Sequence, residues 1–160
     1  MPTVVRTVAG VAIGGAALWG IAGVDDTTRN DSGQIVKQGD LGAFVTQVGD
    51  CINWDDPSSV TVSVFKGVPC SSPHQWQVIF KSRVSASEYD REAIRDEGEA
   101  ICGPQYERLV EQLSVEELGE YQNASFTQML PTKESFDEGD RVVDCMIGSD
   151  DEYFNSSLLD

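Results

Sequence analysis

The sequence predicts an α+β domain: a small, mainly antiparallel sheet with one long or kinked helix packed on it, two disulfides and an N-terminal transmembrane anchor. Three observations lead there. Several short stretches alternate apolar and polar residues with period two, the pattern of a strand with one wet face. Residues 89–113 instead space their apolar positions as a helix does. Cys51, Cys70, Cys102 and Cys145 all follow an uncharged apolar stretch near the N-terminus. An even cysteine count behind an export segment implies disulfides.

The 160 residues leave room for one domain of ordinary size. Its expected parts are a signal anchor or signal peptide at 1–24, a polar linker at 25–40, an extracytoplasmic domain at 41–148 and an acidic tail at 149–160. Thr7 to Val24 carries no charge. That run is at the short end of the ~17–25 residues that span a bilayer. Lipid contact is expected over residues 4–24. Arg6 before the run, and Asp25 and Asp26 after it, keep the N-terminus in the cytoplasm and place the body outside. An uncharged run longer than a signal core favours a retained single-pass anchor in the cell membrane. Gly20-x-Ala22 offers a cleavage site, and cleavage would make the protein secreted. Gly10-x-x-x-Gly14 would let a second helix approach, although a Gly/Ala-rich segment produces that spacing by chance.

Residues 25–39 are polar without a sustained period and read as a linker with one apolar touch at Ile35-Val36. Residues 41–48 enter the first strand. Gly49-Asp50 turns the chain into Cys51-Ile52, and 53–59 is an Asp/Asn/Ser/Pro loop. Residues 60–65 and 76–80 read as strands on either side of a tight turn at 71–74. Ser85 and Ser87 are candidate helix caps, and Ser85-x-x-Glu88 has the capping-box form. Pro104 either kinks the helix or begins a new one. Ser114-x-x-Glu117 opens a short helix. Residues 124–130 and 141–147 are the last strands, with a turn at 132–136 between them. The tail is expected to fray.

Three pairings of the cysteines are possible. Cys51 and Cys70 end neighbouring elements, so a Cys51–Cys70 bridge is preferred, which leaves Cys102–Cys145 to join the helix to the last strand. The spacings fit no zinc module, and no metal is expected.

His74 is the only histidine. A hydrolase reading would use it as a base with Ser71 or Ser72 as the nucleophile, but no third, orienting carboxylate stands in a recognisable motif. The plainer reading is a ring that ties down the turn by hydrogen bonds. No phosphate loop, dinucleotide fingerprint or metalloprotease helix is present, so no catalytic residue and no cofactor are expected. Beyond Gly23 stand 10 basic and 27 acidic residues, a net of −17. That charge argues against nucleic acid and anionic lipid headgroups.

Several of these residues together carry a resemblance. Gly49-Asp50-Cys51, then Val68-Pro69-Cys70-x-x-Pro73-His74, a mid-chain Cys102 and a closing Gly139-Asp140-Arg141-x-x-x-Cys145 resemble the actinobacterial septum formation family. The likeness covers roughly residues 29–147. It implies an exported or membrane-tethered envelope domain linked to cell division. Gly49, Asp50, Pro69, Pro73, His74, Gly139, Asp140 and Arg141 are then its binding or structural motif. Two positions depart from the family pattern: Gln77 stands where an acidic residue is expected, and Phe136 where a tryptophan is. The function expected is a non-catalytic envelope protein that binds other envelope or membrane proteins. Its variants are an accessory subunit of a membrane complex and, as the rival class, an envelope hydrolase using His74.

Overall fold

The computed structural model describes residues 6–9, 23–55 and 64–159. The expected anchor therefore lies mostly outside the described residues, as do Gly10, Gly14, the Gly20-x-Ala22 site and the strand start at 60–63. No helix among the described residues is long and apolar enough to cross a membrane.

Nine strands occur among the described residues: β1 (Arg6–Ala9), β2 (Thr28–Arg29), β3 (Ile35–Lys37), β4 (Gly39–Gly42), β5 (Cys51–Asn53), β6 (Val64–Val68), β7 (Trp76–Arg83), β8 (Ser125–Leu130) and β9 (Val142–Gly148). Seven form one sheet in the order β1-β8-β9-β7-β5-β6-β4, antiparallel except where β1 meets β8. β2 and β3 form a separate hairpin. Three helices lie among the described residues: α1 (Arg91–Gln112) and α2 (Val115–Glu120) between β7 and β8, and α3 (Lys133–Asp137) between β8 and β9. The α+β reading holds, with α1 as its long helix.

The sheet buries apolar residues on both faces. On β9, Val143, Cys145 and Ile147 join α1 residues Ile94, Cys102 and Leu109 in one core. Met146 faces the other way, into a second core with Ile52, Phe65, Trp76, Val78 and Met129. The two-residue period of a strand makes this division. A register shift between Val78 and Phe80 then puts Phe80 on the helix side together with Ile79 and sets Lys81 opposite Asp144.

The helix begins later than its serines suggest. Asp90 is the N-cap and accepts from the backbone N–H groups of Glu92 and Ala93. Ser85 does not cap; its N–H donates to the Glu97 carboxylate. Asp accepts as well as Ser does at this position, so sequence type alone does not choose between them. Pro104 lies inside α1, and the helix continues through it. The box at Ser114 and Glu117 forms as expected, and a second one forms at Thr132 and Ser135. α1 lies close on the sheet at Gly98: a Cβ there would come within 2.0 Å of the Gln128 amide oxygen.

Three expectations need correction. The 25–40 linker is no free stalk. It folds as β2–β3, buries Ile35, and reaches the sheet through the Asp25–Leu41 bridge. The first strand is also shorter than expected, because residues 43–45 turn after β4. The tail is not frayed. Phe154 and Leu158 are buried, Phe154 exchanges both backbone hydrogen bonds with His74, and Gln77 accepts from the Leu158 N–H. Two large apolar residues in an acidic segment give it a reason to dock that its charge hides.

Both preferred disulfides form, Cys51–Cys70 and Cys102–Cys145, and no described cysteine is left over. They close spans of 19 and 43 residues. Loop-closure entropy assigns them about 3 and about 4 kcal/mol. Replacing Cys102 and Cys145 together by alanine should therefore cost more in urea unfolding than replacing Cys51 and Cys70. An equal or reversed order would show that strain or residual structure outweighs the loop term.

Candidate functional site

Most of the first motif surrounds one groove of about 590 Å3. Residues 32–36 of the β2–β3 turn form one wall and residues 68–72 the other; residues 47–51 are the floor, and Ser157 and Leu159 close an end. Gly49 turns the floor with a φ of +96°, a conformation open to glycine and strained for other residues. That turn drives Asp50 inward. Asp50 is buried, accepts the Gln47 N–H, and is held by Arg29 through two bonds of 2.6 and 2.9 Å. The floor charge is thus neutralised by a residue of the expected linker. A buried carboxylate needs such a partner. The Cys51–Cys70 bridge lies in the floor, with Cys51 buried and Cys70 half-buried. Val36 and Val48 stand more than half exposed on the rim, and Leu159 is 39% exposed. These three aliphatic side chains stand among polar ones, Ser32, Gln34, Gln47 and Ser71, around one concavity.

His74 does not open into this groove. Its side chain is fully buried. Nδ1 lies 3.0 Å from the Ser72 carbonyl oxygen, which only accepts, so Nδ1 carries the proton. Nε2 is 3.4 Å from the Tyr121 hydroxyl. That hydroxyl donates instead to the Ser156 carbonyl at 2.6 Å. Tyr121 stacks on Phe154 with centroids 4.2 Å apart. Burial pushes the His74 imidazole below the ordinary histidine value, against the pull of the Ser72 carbonyl and Glu120. Burial likewise pushes the Tyr121 phenol upward. The histidine meets the Ser72 backbone rather than a serine hydroxyl, and its neighbours hold the C-terminal strap. Pro73 fits the same role: its carbonyl accepts from Asn53.

The closing motif forms a separate corner. Gly139 has a φ of +102°, and the next residue, Asp140, accepts from the Ser135 hydroxyl and the Val142 N–H. Arg141 lies over the Phe136 ring at 3.3 Å and donates to the carbonyls of Ala86, Phe136 and Asp140. A glycine that turns and an aspartate that caps thus recur at residues 49–50 and 139–140, but the two places share no wall. Tyr89 meets Phe136 edge-on at 5.6 Å.

One buried charge was not singled out by the sequence. Asp144 is 1% exposed, accepts the Thr46 hydroxyl at 2.5 Å, and has Lys81 Nζ 3.1 Å from each carboxylate oxygen. Burial raises its carboxyl above the usual value while Lys81 and Thr46 oppose that shift. The available signal was an acid in the middle of an apolar strand. Among the described residues no cluster of His, Cys, Asp or Glu could hold a metal.

The septum formation family model matches residues 48–156, from the groove floor to the strap. The chain belongs to the septum formation family. No curated protein and no solved structure matches it. The match begins after β2, β3 and β4, so the Arg29–Asp50 pair ties the septum formation region to a segment outside the matched stretch. Gln77, the position expected to be acidic, is buried; its amide donates to the Gly49 carbonyl and the Ser157 hydroxyl. A carboxylate lacks those donors, so glutamine here joins the groove floor to the strap. Phe136, in place of tryptophan, keeps an aromatic face under Arg141.

The burial of His74 in this septum formation domain sets a sign for pH. The unfolded chain binds a proton on His74 near pH ~6.5, while the folded ring resists until lower pH. The unfolded state therefore holds more protons just below that value, and stability falls with acid. In urea unfolding between pH 7 and 5, the protein should lose stability more steeply than His74→Gln. Equal slopes would mean that the ring is solvated and free to charge.

Proposed function

We propose that this septum formation domain is a non-catalytic, membrane-anchored extracytoplasmic protein that binds other envelope or membrane proteins through the Gly49–Cys51 groove. The observation that carries this reading is the groove: aliphatic side chains exposed among polar ones, over a floor whose one buried acid is already paired. Such a site offers shape and apolar surface, which suits a partner segment better than a reacting substrate. The body's net charge of −17 favours an apolar or basic segment over an acidic one. A retained segment at 1–24 would hold the domain at the outer face of the cell membrane, near such partners.

The catalytic alternative draws little support from His74, whose ring is sealed and whose nitrogens face Ser72 O and the Tyr121 hydroxyl. A general base must reach the proton it abstracts. Service as an accessory subunit of a larger membrane complex is a form of the same reading, since it asks only for docking.

Val48→Asp places a charge on an exposed part of the rim and leaves the buried floor intact. It should unfold like the parent protein. Capture of envelope proteins from detergent-extracted membranes should fall by about fivefold or more, the effect of losing ~1 kcal/mol at an interface. Undiminished capture by a folded Val48→Asp protein would move the binding surface elsewhere.

A further inference from the structure

The two edges of the main sheet are treated differently. Beyond β4, residues 24–26 close the edge: the Asp26 N–H donates to the Asp40 carbonyl and the Gly42 N–H to the Val24 carbonyl. At the other end, the described residue pairs on the outer edge of β8 are those with β1. β8 reads Ser-Phe-Thr-Gln-Met-Leu, with no charge, proline or glycine, and pairs with β9 without a register shift. Natural edge strands are ordinarily blunted by charges, prolines or bulges. β8 carries none of these and spans ~20 Å.

Export of the body removes β1 from that edge by either route. If the N-terminal segment stays in the bilayer, Arg6–Ala9 lie at its cytoplasmic end while β8 lies outside. If the segment is cleaved, Arg6–Ala9 are gone. We infer that the outer edge of β8 is a strand-docking site, filled in the exported protein by an extended segment of a partner. The seat of β1 supplies the geometry: four residues, parallel to β8, in the register Arg6 to Thr127, Thr7 to Gln128, Val8 to Met129 and Ala9 to Leu130. The domain's acidity selects against an acidic strand, so the partner segment is a short uncharged or basic one of small and β-branched residues. Main-chain hydrogen bonds supply the affinity in this mode. The inference rests on the export proposed above and is independent of the groove.

The test uses the full chain in native membranes. Val8→Cys and Met129→Cys, introduced together, occupy partner positions, and an oxidant joins them only if β1 sits on β8. Hydrogen exchange at residues 125–130 is then followed in the unsubstituted chain, reconstituted in vesicles, with and without the synthetic peptide Arg-Thr-Val-Ala-Gly. The expected result is no link, fast exchange at the β8 edge, and exchange slowed at least tenfold by saturating peptide. A link in the membrane-held chain would overturn both the export reading and this inference. An absent link with exchange already slow, or unchanged by the peptide, would overturn the docking site and leave export standing.

Discussion

The structure depends on its two covalent bridges. A body of this size carries strong negative charge, and self-repulsion works against its compact state. Cys102–Cys145 fastens α1 to the strand at the centre of the helix-side core. Cys51–Cys70 closes β5 against the end of β6 and fixes the groove floor. The groove's shape therefore rests on a bond that an oxidising compartment preserves and a reducing one would cut. Site and compartment are coupled through that bond.

Polar groups inside the molecule add to the apolar cores in holding the peripheral segments. Arg29 brings the β2–β3 hairpin onto Asp50. Gln77 joins Gly49 to Ser157 and Leu158. His74 and Tyr121 hold the strap through Ser72, Phe154 and Ser156. Lys81 and Thr46 meet the buried Asp144 across the sheet. Asp50, Gln77, His74 and Asp144 are buried, and removal of their partners would leave them unpaired in a medium of low polarity. This explains why the motif residues Asp50 and His74 need no reaction to justify them: both are structural ties at the borders of packed segments.

Much of this was legible from local patterns. Strand alternation, the Ser114 box, the turns at Gly49 and Gly139, and the preferred bridge partners all follow from residues close in sequence or at element ends. The segments misread were those whose order comes from distant contacts. Residues 25–39 lack a period because a short hairpin buries little beyond Ile35, and its chief tie, Arg29 to Asp50, spans 21 positions. The tail looked frayed because its acids mask Phe154 and Leu158, whose pockets are made by residues far earlier in the chain. The helix start moved to Asp90 because several nearby side chains could cap it, and tertiary packing chose among them.

Both disulfides of this septum formation domain need an oxidising compartment to persist, and one of them fixes the groove floor. The most direct test is thiol alkylation and mass spectrometry of chain isolated from its native membranes without reductant. The account predicts no alkylated cysteine and two linked peptide pairs, Cys51 with Cys70 and Cys102 with Cys145. Reactive thiols at Cys51 and Cys70, or zinc released on their alkylation, would contradict it.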